Sequence, residues 1–316
     1  MPDPLDGLSA DQRAAVTHPG GPLLVAGGPG TGKTRVVTRR IAWLVEHGVP
    51  ATAILGLTFS TAAAERMRCQ VEALVERPYE ELWILGFGDL CRRLLRDEAL
   101  EAGLDPFFVS VSRPDRVALL LERIDDLPLS HHEIRGNPAP LVARLVARID
   151  RLKESLVGAG DLRRRAEVTL SRSADDPAAR GAAERELEVA AVYERHDDLL
   201  AERGALDAGD LVLRVERLLR ERTGVRERVA ERFRNVLVDD LQDANRAQSA
   251  VLRHLRGHGD VTVTGDDAGA PLRDGADSNL LAFLEEQAHA TRVELGRSRR
   301  CGQRILDAAG AVAAAG

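Results

Sequence analysis

The chain has 316 residues, of which 44% are hydrophobic and 30% charged, and its formal net charge at pH 7 is −6. This length gives room for about two domains with real cores, and no apolar run approaches the ~20 residues that a membrane span needs. Three cysteines without CxxC spacing indicate neither a disulfide framework nor a zinc site, and the N-terminus has no signal-like stretch, so we expect a cytoplasmic protein. The net negative charge does not exclude a nucleic-acid partner, because nucleic-acid binding depends on a local basic groove rather than on the total charge.

The N-terminal part of the chain contains a phosphate-loop pattern. Residues 8–16 predict a short helix with Ser9 as N-cap and Gln12 in a capping box. Residues 23–34 then form an apolar run and a glycine-rich turn with the spacing G-x-x-x-x-G-K-T, and a helical pattern follows over residues 35–45. A strand, a glycine-rich turn and a helix N-terminus in that order predict a P-loop.

The residue types in this turn suit a triphosphate. Glycines let backbone N–H groups turn inward, Lys33 would reach the β- and γ-phosphates, and the Thr34 hydroxyl would ligate Mg²⁺. The alternative is a glycine-rich loop that holds a lysine by chance. Only Lys33 and Lys153 are lysines among 44 Lys and Arg residues, and Arg cannot replace a compact ammonium inside a phosphate cradle, so we favour the P-loop.

Strands and helices alternate after the P-loop and predict a parallel α/β sheet. The predicted strands cover residues 54–59 and 83–87, and the helices after them cover residues 62–76 and 89–100. Residues 113–203 are helical in pattern, with an apolar stripe over residues 141–152. We interpret this part as an inserted helical domain whose arginines form a solvated face rather than a DNA surface.

The α/β pattern returns in the last third of the chain. A short apolar strand over residues 236–238 ends in Asp239 and Asp240, and further strands are predicted over residues 261–264 and 293–295. An acid at the end of a strand is what a P-loop protein needs opposite Thr34: Asp239 would hold Mg²⁺, and Asp240 would polarise the attacking water. A last helix begins near Gly302, and the end of the chain soon after it predicts a fragment of a longer protein.

The order of these motifs resembles the N-terminal motor region of superfamily 1A DNA helicases, the UvrD/Rep/RecB-like group. The resemblance runs from Leu5 to about Ala309, and the run Gln242-Asp243-x-Asn245 after the acidic pair is its most specific part. It implies a RecA-like P-loop NTPase domain of α/β class that carries an inserted all-helical domain. The predicted boundaries are residues 1–105 and 204–316 for the two parts of the RecA-like domain and residues 106–203 for the insert.

The resemblance also implies roles for single residues. Gln12 would read the adenine edge, Arg35 would pack on the adenine face, and Arg300 would contact the γ-phosphate beside the catalytic Lys33 and Asp240. The residues implied to bind the nucleotide are Gln12, Gly27, Gly28, Pro29, Gly30, Thr31, Gly32, Lys33, Thr34 and Arg35, with Thr34 and Asp239 on the metal. The residues implied to contact DNA are Thr58, Phe59, Ser60, Thr61 and Phe87.

The implied function is an ATP- and Mg²⁺-dependent motor that moves 3′ to 5′ along single-stranded DNA in repair or recombination. Several family positions differ here. Asp240 stands where the family usually has Glu, and Thr61-Ala62 replace Asn-Lys. The glutamine and aromatic residue expected after Gly265-Asp266-Asp267 are absent, with Gly269, Ala270 and Leu272 in that region.

These departures support a second hypothesis, a weakened motor within a two-motor complex that resembles the AdnA-like subunits of actinobacterial helicase–nucleases. A third hypothesis is a non-catalytic nucleotide-binding scaffold that holds DNA or a partner motor. Retention of Lys33, Asp239 and Arg300 favours ATP binding with some hydrolysis.

Overall fold

A computed structural model describes residues 3–75, 81–132, 136–173, 175–257, 259–266 and 279–315. The chain forms two compact units. The first contains Met1–Arg93 and Leu218–Gly316, and the second contains Leu94–Arg217. The domain boundaries predicted at 105/106 and 203/204 both fall within the second unit, and the assignment of named motor domains stays a prediction.

The secondary structure alternates strands and helices at both ends of the chain and is helical between them. In order, the elements are α1 (Ala10–Val16), β1 (Leu23–Gly27), α2 (Lys33–Glu46), β2 (Ile54–Thr58), α3 (Thr61–Glu72), β3 (Trp83–Gly86), α4 (Phe87–Asp97), α5 (Ala99–Ala102), β4 (Val109–Ser110), α6 (Arg113–Leu121), α7 (Ala139–Glu154), α8 (Ala159–Arg172), α9 (Pro177–Glu202), β5 (Ala205–Leu206), α10 (Ala208–Glu221), α11 (Thr223–Arg232), β6 (Asn235–Val238), α12 (Arg246–Leu255), β7 (Asp260–Gly265), α13 (Asn279–Glu286), β8 (Thr291–Leu295) and α14 (Gln303–Ala315). Within the described ranges, no helix is long and apolar enough to cross a membrane.

The first unit contains a six-stranded parallel sheet in the order β3-β2-β6-β7-β1-β8. Val263 of β7 pairs with Leu24 of β1 on one side and with Val238 of β6 on the other. The carboxyl ends of these three strands therefore meet at one edge of the sheet. The predicted α/β class with a parallel, RecA-like sheet is confirmed.

Strands β1, β2 and β6 are short apolar runs because helices cover them, as is usual in parallel sheets. Val37 and Ile41 of α2 pack with Met67 of α3 against the sheet, and Ala15 and Val16 of α1 pack in a second cluster beside β1. Both clusters are buried. The helix that follows the P-loop is thereby fixed to the strand that precedes it.

A buried arginine joins α1 to the centre of the sheet. Arg40 of α2 is 1% exposed, and its guanidinium donates to Thr262 Oγ1 (3.0 Å) and to the carbonyl oxygens of Val16 (3.0 Å) and His18 (2.9 Å). Burial lowers the pKa of Arg40 to about 10. Because Arg40 satisfies carbonyls at the end of α1, it fixes the helix that carries Gln12.

The second unit is built from helices α6 to α9 around its own core. Its apolar stripe on α7 is buried, as predicted, in a cluster with Tyr193 of α9 and Leu120 of α6. The two-residue strands β4 and β5, which were not predicted, pair in parallel. Several exposed arginines contact acids of the same unit, including Arg180 with Glu184 and Arg148 with Glu186.

The second lysine of the chain is at the centre of a buried charge cluster in this unit. Lys153 is 1% exposed, and its ammonium donates to Asp197 (3.1 Å), Asp207 (2.9 Å) and Asp210 (2.6 Å). Arg116 bridges Asp207 to Asp150. A point charge with three donors suits three converging carboxylates, which explains a lysine at this position in a chain whose cationic residues are nearly all arginines.

Two predicted helices have different limits in the structure. The helix predicted over residues 62–76 is α3, which begins at Thr61 with Ser60 as N-cap and ends at Glu72. The helix predicted over residues 89–100 is divided, because Glu98 leaves the helical conformation (φ −111°, ψ 30°) between α4 and α5.

Candidate active site

The turn between β1 and α2 has the backbone of a phosphate cradle. Gly30 and Gly32 have positive φ angles of 77° and 93°, which side-chain-bearing residues rarely adopt, and Gly32 is the N-cap of α2. A Cβ at Gly32 would lie 2.6 Å from Gln12 Nε2, and one at Gly30 would overlap Arg300 Cβ. The chain therefore approaches the turn closely on two sides, and glycine is required at both positions.

Lys33 is the first residue of α2, and its side chain folds back over the turn. Its ammonium donates to the carbonyl oxygens of Gly27 (2.7 Å) and Gly28 (3.3 Å), and it lies 3.8 Å from Asp240 Oδ1. The Lys33 side chain is 10% exposed. A cation is thus held at the mouth of the cradle, where the dipole of α2 also favours an anion.

Thr34 and Asp239 meet at the carboxyl edge of the sheet, as the sequence predicted. Thr34 Oγ1 donates to Asp239 Oδ2 (2.6 Å), and Thr264 Oγ1, at the end of β7, donates to Asp239 Oδ1 (2.7 Å). Asp239 is 5% exposed. Burial, reinforced by the neighbouring Asp240 charge, raises the pKa of Asp239 to about 6, against the effect of the two hydroxyl hydrogen bonds.

Asp240 adopts a left-handed backbone conformation, with φ 56° and ψ 56°. This region is uncommon for residues other than glycine, although Asp tolerates it better than most. The Asp240 N–H donates to Thr264 Oγ1 (3.0 Å), and its Oδ1 accepts from Gln242 Nε2 (3.2 Å). The left-handed turn aims the second acid toward Lys33 rather than along the strand.

Gln12 contacts the P-loop directly and also forms the predicted capping box with Ser9. Its Oε1 accepts from the Ser9 N–H (3.1 Å), and its Nε2 donates to the Thr31 carbonyl oxygen (2.9 Å). Arg35 donates to the Asp6 carbonyl oxygen (3.2 Å). Burial and the nearby Arg39 and Arg299 charges lower the pKa of Arg35.

The segment before α14 packs on the outer side of the P-loop. Ser298 Oγ donates to the Pro29 carbonyl oxygen (2.8 Å), and the Arg299 N–H donates to the Gly30 carbonyl oxygen (2.9 Å). These two bonds place Arg300, to which the family resemblance gives a contact with the γ-phosphate, at the rim of the cleft.

One cleft of about 1140 Å³ lies at the edge of the sheet, and its lining includes Gly30, Lys33, Thr34, Asp239, Asp240 and Arg300. The cleft fits a nucleoside triphosphate and a hard divalent cation. The P-loop has glycines, which lack Cβ atoms, where other parts of the chain approach its backbone most closely, and the Lys33 ammonium lies at its opening. The Thr34 hydroxyl and a carboxylate oxygen of Asp239 lie 2.6 Å apart. Oxygen donors of this kind are what Mg²⁺ takes in phosphate sites.

The five residues implied to contact DNA differ in exposure. Thr58 is 3% exposed and donates to the Ser60 carbonyl oxygen (2.9 Å), and Phe87 is 1% exposed. Phe87 stacks on the half-buried ring of Phe59, with centroids 6.0 Å apart and planes 9° from parallel. Thr61 Oγ1 donates to Asp89 (3.0 Å). Only Phe59, Ser60 and Thr61 of this set have accessible surface, so Thr58 and Phe87 act here as supports of the loop.

Sequence reasoning missed two residues of the site. Thr264 and Gln242 both contact the acidic pair, and neither was assigned a role from the sequence. The alternation Val261-Thr262-Val263-Thr264 was a signal for Thr264, because a hydroxyl in an apolar strand needs a partner. Asp267, Gly269, Ala270 and Leu272, where the family pattern is lost, lie outside the described residues.

Comparison with known proteins agrees with this geometry. Residues 8–269 match the family model described as the UvrD/REP helicase N-terminal domain. The chain is 34% identical to the ATP-dependent DNA helicase UvrD1 of Mycobacterium leprae, over 98% of this chain and 40% of that protein. It is 29% identical to the ATP-dependent DNA helicase PcrA of Staphylococcus epidermidis and 28% identical to that of Staphylococcus aureus, over 96% and 98% of this chain and 40% of each relative.

The chain thus spans about 40% of the length of these relatives. None of the three relatives distinguishes an AdnA-like subunit from other members of the group. The family model covers most of the chain and includes the P-loop, the acidic pair and the strands that carry them. The chain belongs to the UvrD/REP helicase N-terminal domain family.

Proposed function

We propose that this chain is the ATP-hydrolysing motor region of a superfamily 1A DNA translocase. The hydrogen bond between Thr34 and Asp239 carries the proposal, because it places the hydroxyl that follows the P-loop lysine against the acid that ends β6. The Lys33 ammonium and the Asp240 carboxylate lie 3.8 Å apart at the opening of the same P-loop, and they complete the group of residues on which the proposal depends.

Each residue has a distinct task in this proposal. The P-loop amides and Lys33 bind the β- and γ-phosphates, and Arg300 contacts the γ-phosphate from the rim. Thr34 and Asp239 hold Mg²⁺, which supplies charge neutralisation of the phosphates when bound. Gln12 and Arg35 bind the adenine.

Asp240 acts as the base in hydrolysis. It accepts a proton from the attacking water as the water oxygen bonds to the γ-phosphorus. The bond from the γ-phosphorus to its bridging oxygen breaks, and the electron pair stays with ADP. Because Asp is one methylene shorter than the usual Glu, we expect slow turnover; a misplacement of about 1 Å can cost on the order of 10²-fold in rate.

We infer that the polymer is DNA with a single-stranded segment, bound at Phe59, Ser60 and Thr61, and that movement is 3′ to 5′ in cytoplasmic repair or recombination. The similar proteins described above are ATP-dependent DNA helicases, which supports this inference.

A second candidate, a weakened or scaffolding motor subunit with a second helicase–nuclease subunit as partner, is favoured by the DNA-contact loop. Thr61 there is bonded to Asp89 rather than free for a phosphate, and Ala62 follows it where the family has Lys. The two candidates predict different rates of ATP hydrolysis. A motor hydrolyses ATP faster when DNA is bound, whereas a scaffold binds ATP without DNA-dependent hydrolysis.

Steady-state ATPase with and without a single-stranded oligonucleotide tests the proposal, with Lys33→Ala as the inactive control. A motor region shows Mg²⁺-dependent turnover that DNA increases and that the substitution abolishes. Tight ATP binding with no turnover, with or without DNA and a partner motor, would favour the scaffold. Turnover that survives Lys33→Ala would exclude the P-loop as its site.

A further inference from the structure

Gln242 makes a bridge that the proposed roles above do not use. It lies in the single 3₁₀ turn Leu241–Asp243 directly after the acidic pair. Its Nε2 donates to Asp240 Oδ1 (3.2 Å), and its Oε1 accepts from the Asp266 N–H (3.2 Å). A carboxylate only accepts and a backbone N–H only donates, so this amide orientation alone satisfies both ends. Gln242 thereby ties the acid at the end of β6 to the end of β7.

Few other contacts fix the orientation of the Asp240 carboxylate. Its side chain is 39% exposed, and Lys33 Nζ, at 3.8 Å, is beyond hydrogen-bond distance. In the part of the chain that the structure describes, Gln242 is the one side chain that donates a hydrogen bond to this carboxylate. A half-exposed acid without that bond samples several rotamers.

The turn that carries Gln242 is itself fixed from two sides. The Asp240 N–H donates to Thr264 Oγ1 (3.0 Å). Asn279 Nδ2, at the start of α13, donates to the carbonyl oxygen of Ala244 (2.7 Å) and approaches that of Leu241 (3.4 Å). The Gln242 side chain therefore projects from a braced backbone, which is the condition for a residue that orients another.

We propose that Gln242 is a positioning residue for ATP hydrolysis. Its amide holds the Asp240 carboxylate at the mouth of the cleft, where that carboxylate takes the proton of the attacking water. The inference rests on the proposed function, in which Asp240 is the base. Gln242 does not itself touch the nucleotide in this scheme, so its loss lowers turnover and leaves nucleotide affinity unchanged.

Two substitutions separate this role from general support of the fold. Gln242→Ala removes both hydrogen bonds. Gln242→Glu keeps the acceptor for the Asp266 N–H but, when ionised, places a second carboxylate against Asp240 where the donor was. Gln303→Ala is the matched control, because Gln303 is an exposed residue of α14 whose amide contacts only its helical neighbour Asp307 (2.8 Å) among the described residues.

The experiment measures kcat for ATP hydrolysis with saturating single-stranded oligonucleotide, Mg²⁺-ATP affinity by titration, and thermal stability. We use the 316-residue chain, or the complete gene product where the gene encodes more. Gln242→Ala lowers kcat about 10-fold, with the Kd for Mg²⁺-ATP within about twofold of the parent. Gln242→Glu lowers kcat further at about pH 8, and its kcat relative to the parent recovers as the pH falls and the new carboxyl becomes a donor.

Three results would overturn the inference while the parent hydrolyses ATP: unchanged kcat in Gln242→Ala, a loss of Mg²⁺-ATP affinity above about 10-fold in Gln242→Ala, or a pH-independent ratio of the Gln242→Glu kcat to the parent kcat. A loss of turnover that tracks a loss of thermal stability in both variants would also count against it. Failure of the proposed function is recognised separately, because the parent itself would then show no Mg²⁺-ATP binding or hydrolysis that depends on Lys33.

Discussion

Thr34 Oγ1 donates to Asp239 Oδ2 across 2.6 Å, although the two residues are 205 positions apart in the chain. Thr264 Oγ1 donates to the other oxygen of the same carboxylate at 2.7 Å. Strand β7 lies between β1 and β6 in the sheet, and Thr264 is its second-last residue. Two hydroxyls thus hold a buried acid at the point where a divalent cation is proposed to bind.

The raised pKa of Asp239 predicts a pH dependence of stability in the nucleotide-free chain. Its pKa rises from 3.8 to about 6 in the folded state, so the associated stabilisation is fully present below about pH 4 and is lost as the pH rises through 6. The loss is on the order of 3 kcal/mol. Chemical denaturation of the parent and Asp239→Asn from about pH 4 to about pH 8 measures it.

We expect the free energy of unfolding of the parent, relative to Asp239→Asn, to fall over this range. Asn cannot ionise, and the difference between the two proteins isolates the one carboxyl from the other titrating groups. A pH-independent difference would show that Asp239 ionises in the fold without penalty.

Gly30 is predicted to tolerate no side chain. Gly30→Ala brings a Cβ into Arg300 at a φ of 77°, and strain of about 1–2 kcal/mol from the left-handed backbone adds to the overlap. We expect Mg²⁺-ATP affinity to fall at least about 10-fold, measured by titration. Gly302→Ala is the control, since a Cβ at that position would meet nothing within 4 Å and the φ of Gly302 is not positive. Equal Mg²⁺-ATP affinities for the two variants would refute the close approach of Arg300 to Gly30.

Phe59 and Phe87 are predicted to give opposite phenotypes despite their stacked rings. Phe59 reaches the surface, so Phe59→Ala weakens binding of a single-stranded oligonucleotide by about 1–3 kcal/mol and changes stability little. Phe87 is 1% exposed, so Phe87→Ala lowers the free energy of unfolding by about 3–5 kcal/mol. Fluorescence anisotropy and urea denaturation separate the two, and an unchanged DNA affinity for Phe59→Ala would remove Phe59 from the DNA surface.

Lys153 is predicted to stabilise the helical unit through its three aspartates. Lys153→Met removes the ammonium that joins Asp207 and Asp210 to the half-exposed Asp197. Asp207 keeps its pair with Arg116. Loss of one partner from a buried ion-pair network costs about 3–5 kcal/mol. Arg164→Met is the control, because the pair of Arg164 with Asp161 is exposed and such pairs contribute at most about 1 kcal/mol. Urea denaturation followed by circular dichroism compares them, and equal destabilisation would show that the cluster is energetically neutral.

Much of the site could be predicted from the sequence because parallel strands place their carboxyl ends together. Once residues 23–27 and 236–238 are recognised as parallel strands, Thr34 and Asp239 must lie at one edge. The capping box of Ser9 and Gln12 is local and needs no tertiary information. Composition also distinguishes Lys33, because it is one of only two lysines among 44 Lys and Arg residues, and Lys153 is the other.

What could not be predicted depends on packing between distant segments. The bridge from Gln242 to Asp266 requires the order and register of β6 and β7, which the sequence does not specify. The burial of Thr58 and Phe87 follows from how the loop after β2 folds back on α4, whereas their residue types suit an exposed binding loop equally well. The left-handed backbone of Asp240 is a property of the turn and leaves no pattern in its neighbours.

Mg²⁺-ATP binding to the P-loop is the claim on which the proposed motor function depends. Isothermal titration of Mg²⁺-ATP into the parent and into Lys33→Ala, both verified as folded by circular dichroism, measures it most directly. We predict saturable one-site binding to the parent and an affinity at least about 10-fold weaker for the variant, since Lys33 is the ammonium at the mouth of the cradle. Equal affinities for the two proteins would contradict the assignment of this loop as the nucleotide site.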